Sequence, residues 1–215
     1  MEIKESDLTF TFNKNVDAIK FDDTKFYRTE FNHQPESKGV DIIVNSSECC
    51  QFIEIKNCTN HEAENWWRLF PDNSKAKSAP QNASGVARES LDVEVAKKVA
   101  STIICLYGAQ TKSQMQESAM ELNTWWKSIS DCRIAALKKQ LIIILFLEGR
   151  FDNTFSTTRS KRLIMYHLEQ SIKKKLSVGI VLFSVYQNFT SSGSRFTYRV
   201  KPSKPISFIA AAILS

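Results

Sequence analysis

The chain has 215 residues, 29 Lys and Arg against 23 Asp and Glu for a net charge of +6, and 42% hydrophobic residues. This composition excludes a disordered chain and allows one sizeable core but not two large domains. Its 6 glycines form neither GxGxxG nor GxxxxGK[ST], so no glycine-rich phosphate cradle is encoded, and the 3 histidines leave little room for a histidine-based metal site.

Taken in chain order, residues 7–13 alternate apolar Leu8, Phe10 and Phe12 with polar neighbours, the period of a strand. The aromatic-rich stretch 24–31 reads as a second strand, and 32–38 (NHQPESK) is turn chemistry leading to Gly39. Segments 40–44 (VDIIV) and 51–57 (QFIEIKN) are two further strands joined by a polar turn at 45–48. Residues 61–70 are helical and carry Trp66 and Trp67, while 71–84, rich in Pro, Asn, Ser and Ala, suits a flap or an insertion. Helices follow at about 86–108, where Val95, Val99, Ile103 and Leu106 keep helical spacing, and at about 113–130 and 132–139. A buried strand at 141–147, a helix at 159–176 with Ile164, Leu168 and Ile172 on one face, a buried strand at 179–186 and a last strand at 195–200 complete the chain. The expected fold is α/β: a single domain over 1–215, a central mixed sheet flanked by helices, with a helical insertion at about 71–139.

No apolar run reaches the roughly 18–20 residues of a membrane span, and MEIKESDLTF has neither the basic start nor the apolar run of a secretory signal. Cys49, Cys50, Cys58, Cys105 and Cys132 lack regular spacing and read as free thiols in a reducing compartment; a cytoplasmic protein without membrane contact is expected. Charge is unevenly spread. Residues 1–72 hold 8 Lys and Arg against 14 Asp and Glu, whereas residues 150–215 hold 11 basic residues against Asp152 and Glu169. An acidic block beside a basic one suits a protein that gathers cations at one place and a polyanion at another.

Chemistry concentrates in segments 40–44 and 51–57. Alternation places Phe52, Glu54 and Lys56 on one face of their strand, with Ile53 and Ile55 on the other, and sets Asp41 and Ile43 opposite Val40, Ile42 and Val44. A carboxylate inside an apolar strand needs a partner such as a cation. Asp41, Glu54 and the Ile55 carbonyl form an oxygen-lined set suited to Mg²⁺ or Mn²⁺, and Lys56 can orient water or offset developing negative charge. Phosphodiester hydrolysis requires that division of labour.

Asp41 followed 13 residues later by Glu54-Ile55-Lys56, after a hairpin and before a helix, resembles the PD-(D/E)xK (restriction-endonuclease-like) nuclease superfamily. The resemblance implies that Asp41 and Glu54 ligate Mg²⁺ or Mn²⁺, that Lys56 is the catalytic lysine, and that the substrate is nucleic acid, DNA in preference to RNA. It further implies a role in bacterial defence or a mobile element, with partner proteins supplying target choice. Two departures stand out: Val40 replaces the proline of the pattern, and no helix before Asp41 carries the additional glutamate of many members. Glu30 and Glu36 are the nearest substitutes, and His61, Glu64 and Arg68 lie at helical spacing downstream, able to face the site.

Arg159, Lys161 and Arg162, the run Lys173, Lys174 and Lys175, and Arg195, Arg199 and Lys201 form a candidate phosphate-contacting surface, although lysines at a helix C-terminus also complement the helix dipole without a ligand. Cys49, Cys50, Cys58 and His61 do not match the spacing of a zinc site, and the Trp pairs 66–67 and 125–126 read as core or interface. The alternatives to a nuclease are a catalytically inactive subunit that binds nucleic acid or a protein partner through the same surface, and an interaction protein whose tryptophans and apolar segment 206–214 form a homo-oligomer interface.

Overall fold

In the computed structural model the described residues are 1–34, 37–79, 88–149, 151, 158–177, 185–187 and 198–202; of 158–161, 185–187 and 198–202 only the backbone is described. Among them, the strands are β1 (Glu2–Glu5), β2 (Leu8–Phe12), β3 (Asp17–Lys20), β4 (Ile42–Asn45), β5 (Cys49–Asn57), β6 (Gln140–Glu148), β7 (Val185–Gln187) and β8 (Tyr198–Pro202). The α-helices are α1 (Glu62–Asn65), α2 (Leu91–Lys112), α3 (Glu117–Ile129), α4 (Cys132–Ala135) and α5 (Thr158–Leu176).

The larger sheet runs β3-β4-β5-β6-β7, antiparallel from β3 to β5 and parallel from β5 to β7, so the mixed α/β architecture expected from the sequence is present. Strands β4, β5 and β6 are largely apolar on both faces because both faces are covered. Ile42, Val44, Ile53, Ile55, Ile142, Ile144 and Phe146 pack with Ile3, Leu8, Phe10 and Phe12 of a second sheet, β1-β2-β8. The Phe10 and Phe146 rings meet edge to face at 5.3 Å. The opposite face, with Ile43, Phe52, Ile143 and Leu145, packs against Val95, Val99 and Leu106 of α2 and Leu168 and Ile172 of α5. Thus α2, inside the stretch read as an insertion, supplies a large part of the core. Burial of each such side chain contributes roughly 1.5–3 kcal/mol.

Several elements differ from the sequence reading. Residues 24–31 are not a strand: a 3-10 turn at Phe21–Asp23 is followed by a π turn at Tyr27–Phe31. Thr24, Phe26 and Tyr27 are buried and Phe31 partly so; Arg28 N–H donates to the Thr24 carbonyl at 3.1 Å and Asn32 N–H to the Tyr27 carbonyl at 2.8 Å, and the Tyr27 and Phe31 rings lie 5.9 Å apart. Two strands escape a periodicity search, β1 because Ile3 is its sole apolar residue and β3 because four residues are too few. The β1–β2 turn uses Ser6 and Asp7 at φ 49° and 62°, the backbone sense of a two-residue type I′ hairpin without its usual Asn-Gly. Strand β4 starts at Ile42 rather than at residue 40, because the chain bends at Asp41 and buries Val40 on the helix side. Of the strands expected at 179–186 and 195–200, residues 179–184 and 195–197 lie outside the described residues, as does segment 206–214.

Gly39 shapes the entry to β4. A Cβ there would stand 2.4 Å from Phe21 Cε1, and the Gly39 N–H donates to Tyr27 Oη at 3.1 Å. Phe21 is fully buried, so its ring can shift only by displacing the side chains packed around it. Gly39→Ala should therefore cost about 2 kcal/mol by overpacking, read as a lower urea midpoint with unchanged slope. An unchanged midpoint would mean that the ring yields.

Candidate functional site

The register of β4 on β5, Ile42 with Ile53 and Ile43 with Phe52, continues past the end of β4, where the Asp41 N–H donates to the Ile53 carbonyl at 3.1 Å. Asp41 therefore lies opposite Glu54, on the helix-covered face shared with Ile43 and Phe52. Side chains so placed start from Cβ atoms about 4.5–5.5 Å apart. Two further bonds hold this segment: Phe21 N–H donates to the Asp41 carbonyl at 2.8 Å, and Val40 N–H donates to Thr102 Oγ1 on α2 at 2.9 Å.

Helix α2 crosses above the carboxylates and presents Glu94, Lys98 and Thr102 at i, i+4 spacing beside its apolar stripe. Lys98 Nζ lies 2.6 Å from Glu54 Oε1 and 3.3 Å from Asp41 Oδ1. Lys56 Nζ lies 2.8 Å from the same Glu54 oxygen and 2.7 Å from Glu94 Oε1. Arg68 Nη2 pairs with Glu94 Oε2, while its Nε donates to the Glu89 carbonyl at 2.9 Å. Charges of opposite sign thus alternate from Arg68 through Glu94, Lys56, Glu54 and Lys98 to Asp41.

Of the residues expected here, Asp41, Glu54, Lys56 and Arg68 come together. Ile55 contributes its N–H, which donates to Asp41 Oδ2 at 2.6 Å. Glu30 belongs elsewhere: it sits on the π turn and pairs with Lys112 at 3.0 Å, and Lys112 is 14 residues, about 21 Å of helix, beyond Lys98. His61 and Glu64 are largely exposed and face one another at 3.8 Å, because α1 is a single turn that gives way to a 3-10 helix at Trp66–Leu69 and redirects the chain. Glu36 lies outside the described residues. The sequence reading missed Glu94 and Lys98, although polar residues at i and i+4 beside Val95 and Val99 were the available signal.

Burial, then the neighbouring Asp41 carboxylate, pushes Glu54 up to about 7 against the pull of Lys56 and Lys98. Burial likewise raises Asp41 despite Lys98 and the Ile55 N–H. For Lys56 and Lys98 burial acts downward, but the surrounding carboxylates, Glu54 foremost, prevail and hold both ammonium groups above the ordinary lysine value. Glu94 moves down because Lys56 and Arg68 outweigh its burial. A carboxyl near 7 when folded and 4.5 when unfolded contributes stability that is complete below about pH 4.5 and lost as pH rises through 7. Between pH 5 and pH 8, wild type should lose about 3 kcal/mol relative to Glu54→Gln, measured by urea denaturation at each pH. Parallel profiles for the two proteins would refute the shift.

Glu54 Oε2 is buried and has no hydrogen-bond partner among the described residues. An orphaned carboxylate oxygen next to Asp41 is a donor set for a hard divalent cation, so the residues present fit Mg²⁺ or Mn²⁺. Among the described residues no group of three His, Cys, Asp and Glu converges as a metal cluster; Mg²⁺ held through one or two carboxylates completes its shell with water.

The expected phosphate-contacting residues divide. Arg162 and Lys174 are exposed, Lys173 pairs with Glu169 at 2.5 Å, and Lys175 ties α5 to the buried Asp92 at 2.8 Å. Arg195 and the side chains of Arg159, Lys161, Arg199 and Lys201 lie outside the described residues. A groove of about 470 Å³ between residues 70–74 and α5 is lined in part by His167 and Lys174, away from Asp41 and Glu54. Trp67 and Trp125 are buried in the core, and all five cysteines are free, four of them buried.

The profile described as Family of unknown function (DUF6661) matches residues 24–199. The chain belongs to this family. The DUF6661 region takes in Asp41, Glu54, Lys56, Arg68, Glu94 and Lys98, and so the whole candidate site. No curated protein and no solved structure matches the chain. No helix among the described residues is long and apolar enough to cross a membrane.

Proposed function

We propose that this DUF6661 chain is a metal-dependent endonuclease with a restriction-endonuclease-like fold that hydrolyses phosphodiester bonds of DNA. The observation that carries the reading is the β4–β5 register, which sets Asp41 opposite Glu54 with Lys56 Nζ 2.8 Å from Glu54 Oε1. The antiparallel β3-β4-β5 meander followed by parallel β6 supports the fold assignment. Asp41 and Glu54 would hold Mg²⁺ or Mn²⁺, which when bound supplies Lewis acidity at a phosphate oxygen and a more acidic water.

Lys56 is protonated at neutral pH, so it acts as an electrostatic donor and not as a general base. Two of its three N–H groups are engaged by Glu54 and Glu94, leaving the third for the attacking water or a phosphate oxygen. Glu94, braced by Arg68, fixes the direction of that ammonium. Exposed Arg162 and Lys174 supply sequence-independent contacts to the backbone, which makes binding salt-sensitive.

One observation favours a second reading, that of a non-catalytic binding subunit: the Lys98 ammonium stands between the two carboxylates. Supercoiled plasmid incubated with purified protein and Mg²⁺ or Mn²⁺ separates the two. Nicked or linear product, absent with EDTA and with Glu54→Ala, supports the nuclease; intact plasmid with salt-dependent retention supports the binding subunit.

A further inference from the structure

Lys98 is the one element of the site that a hydrolytic reading does not call for, and its position is specific. Its Nζ contacts Glu54 Oε1 at 2.6 Å and Asp41 Oδ1 at 3.3 Å, the two acids expected to ligate a cation. We propose that Lys98 is a resident counter-ion at the metal position: its ammonium neutralises Asp41 and Glu54 in the ion-free protein and gives up these oxygens when a divalent cation loads. The inference rests on the nuclease reading of the same site.

Three features support exchange over coexistence. Asp41, Glu54 and Glu94 face Lys56, Lys98 and Arg68, three acids to three bases, so the network has no excess negative charge and an added cation would leave uncompensated positive charge in a buried place. Asp41 Oδ2 already accepts the Ile55 N–H, so an ion joining Glu54 Oε2 to Asp41 needs Oδ1, the oxygen that Lys98 touches, and at a Mg²⁺–carboxylate distance of about 2.0–2.1 Å it would press against Nζ. The lysine also has somewhere to go, since Glu94 lies one turn earlier on the same face of α2 and the four-carbon stem is flexible. Lys56 differs: it bridges Glu54 Oε1 and Glu94 and, among the described residues, forms no ion pair with Asp41, so it can stay in place during loading.

The test is Mn²⁺ binding to the 215-residue chain, followed by titration calorimetry without DNA, for wild type, Lys98→Met and Lys98→Gln. Removing the ammonium should tighten Mn²⁺ binding by about tenfold or more, the scale on which neighbours of a ligand tune metal affinity. Asp41→Asn added to Lys98→Met should abolish the gain. In wild type, which needs no variant to fold, the Lys98 ammonium proton resonance should broaden or disappear as Mg²⁺ saturates the protein. A resonance that persists at saturation, or equal or weaker Mn²⁺ binding by the variants, overturns the inference. Should wild type bind Mn²⁺ and cleave plasmid while the variants bind no better, Lys98 has no such role and the nuclease reading stands. Should the variants bind Mn²⁺ while wild type neither binds nor cleaves, the counter-ion role holds and wild-type hydrolysis fails. Absence of binding in every protein overturns both.

Discussion

If the chain is the nuclease proposed, replacing Lys56 by alanine should slow Mg²⁺-dependent plasmid cleavage by roughly 10²–10³-fold, the cost of removing one preorganised donor from a site where negative charge develops. The size of the effect follows from how firmly this ammonium is held. It is clamped between Glu54 Oε1 at 2.8 Å and Glu94 Oε1 at 2.7 Å, so its remaining donor points one way before substrate arrives. Lys56→Arg should not restore the rate, because a planar guanidinium keeps the charge but not the direction of the third donor. Initial rates of nicking at saturating metal provide the measurement. Full activity in Lys56→Ala would move the chemistry to another part of the molecule.

Lys98→Ala should destabilise the ion-free protein by about 3–5 kcal/mol at pH 8, on the order of 10 °C in thermal midpoint, because it strands two buried carboxylates with one fewer cation. Glu54 is fully buried and Asp41 nearly so. The loss should shrink toward pH 5, since Glu54, pushed up to about 7 even with both lysines present, then escapes by taking a proton. Thermal unfolding across that range checks both size and sign. An equal loss at both pH values would mean that Lys98 acts through packing of its stem and not through charge.

The acidic pair was legible because its signal is local. A period-two pattern of β-branched residues interrupted by Asp41 and by Glu54 and Lys56 can be read within each segment, and the polar turn at 45–48 fixes how the strands meet. Residues 24–31 misled because closely spaced aromatic residues satisfy a strand preference as readily as a turn of helix; the local backbone bonds from Arg28 N–H to Thr24 and from Asn32 N–H to Tyr27 decide between them. His61 and Glu64 shared helical spacing with Arg68, but the helix lasts one turn, and only Arg68 is carried inward. Glu30 answered a gap in the pattern, but it sits on the π turn and pairs with Lys112 instead.

By itself the sequence determined a mixed α/β chain with two carboxylates buried in neighbouring strands, since alternation and hydrophobic burial act between residues a few positions apart. Tertiary structure alone decided what neutralises them. Lys98 meets Glu54 across 44 positions and Asp41 across 57, and Lys56 meets Glu94 across 38. Such pairings depend on the angle at which α2 crosses the sheet and on which of its faces looks down. Packing of Val95, Val99 and Leu106 against Ile43, Phe52 and Ile143 sets both, and the charged residues follow because they ride on the same helix.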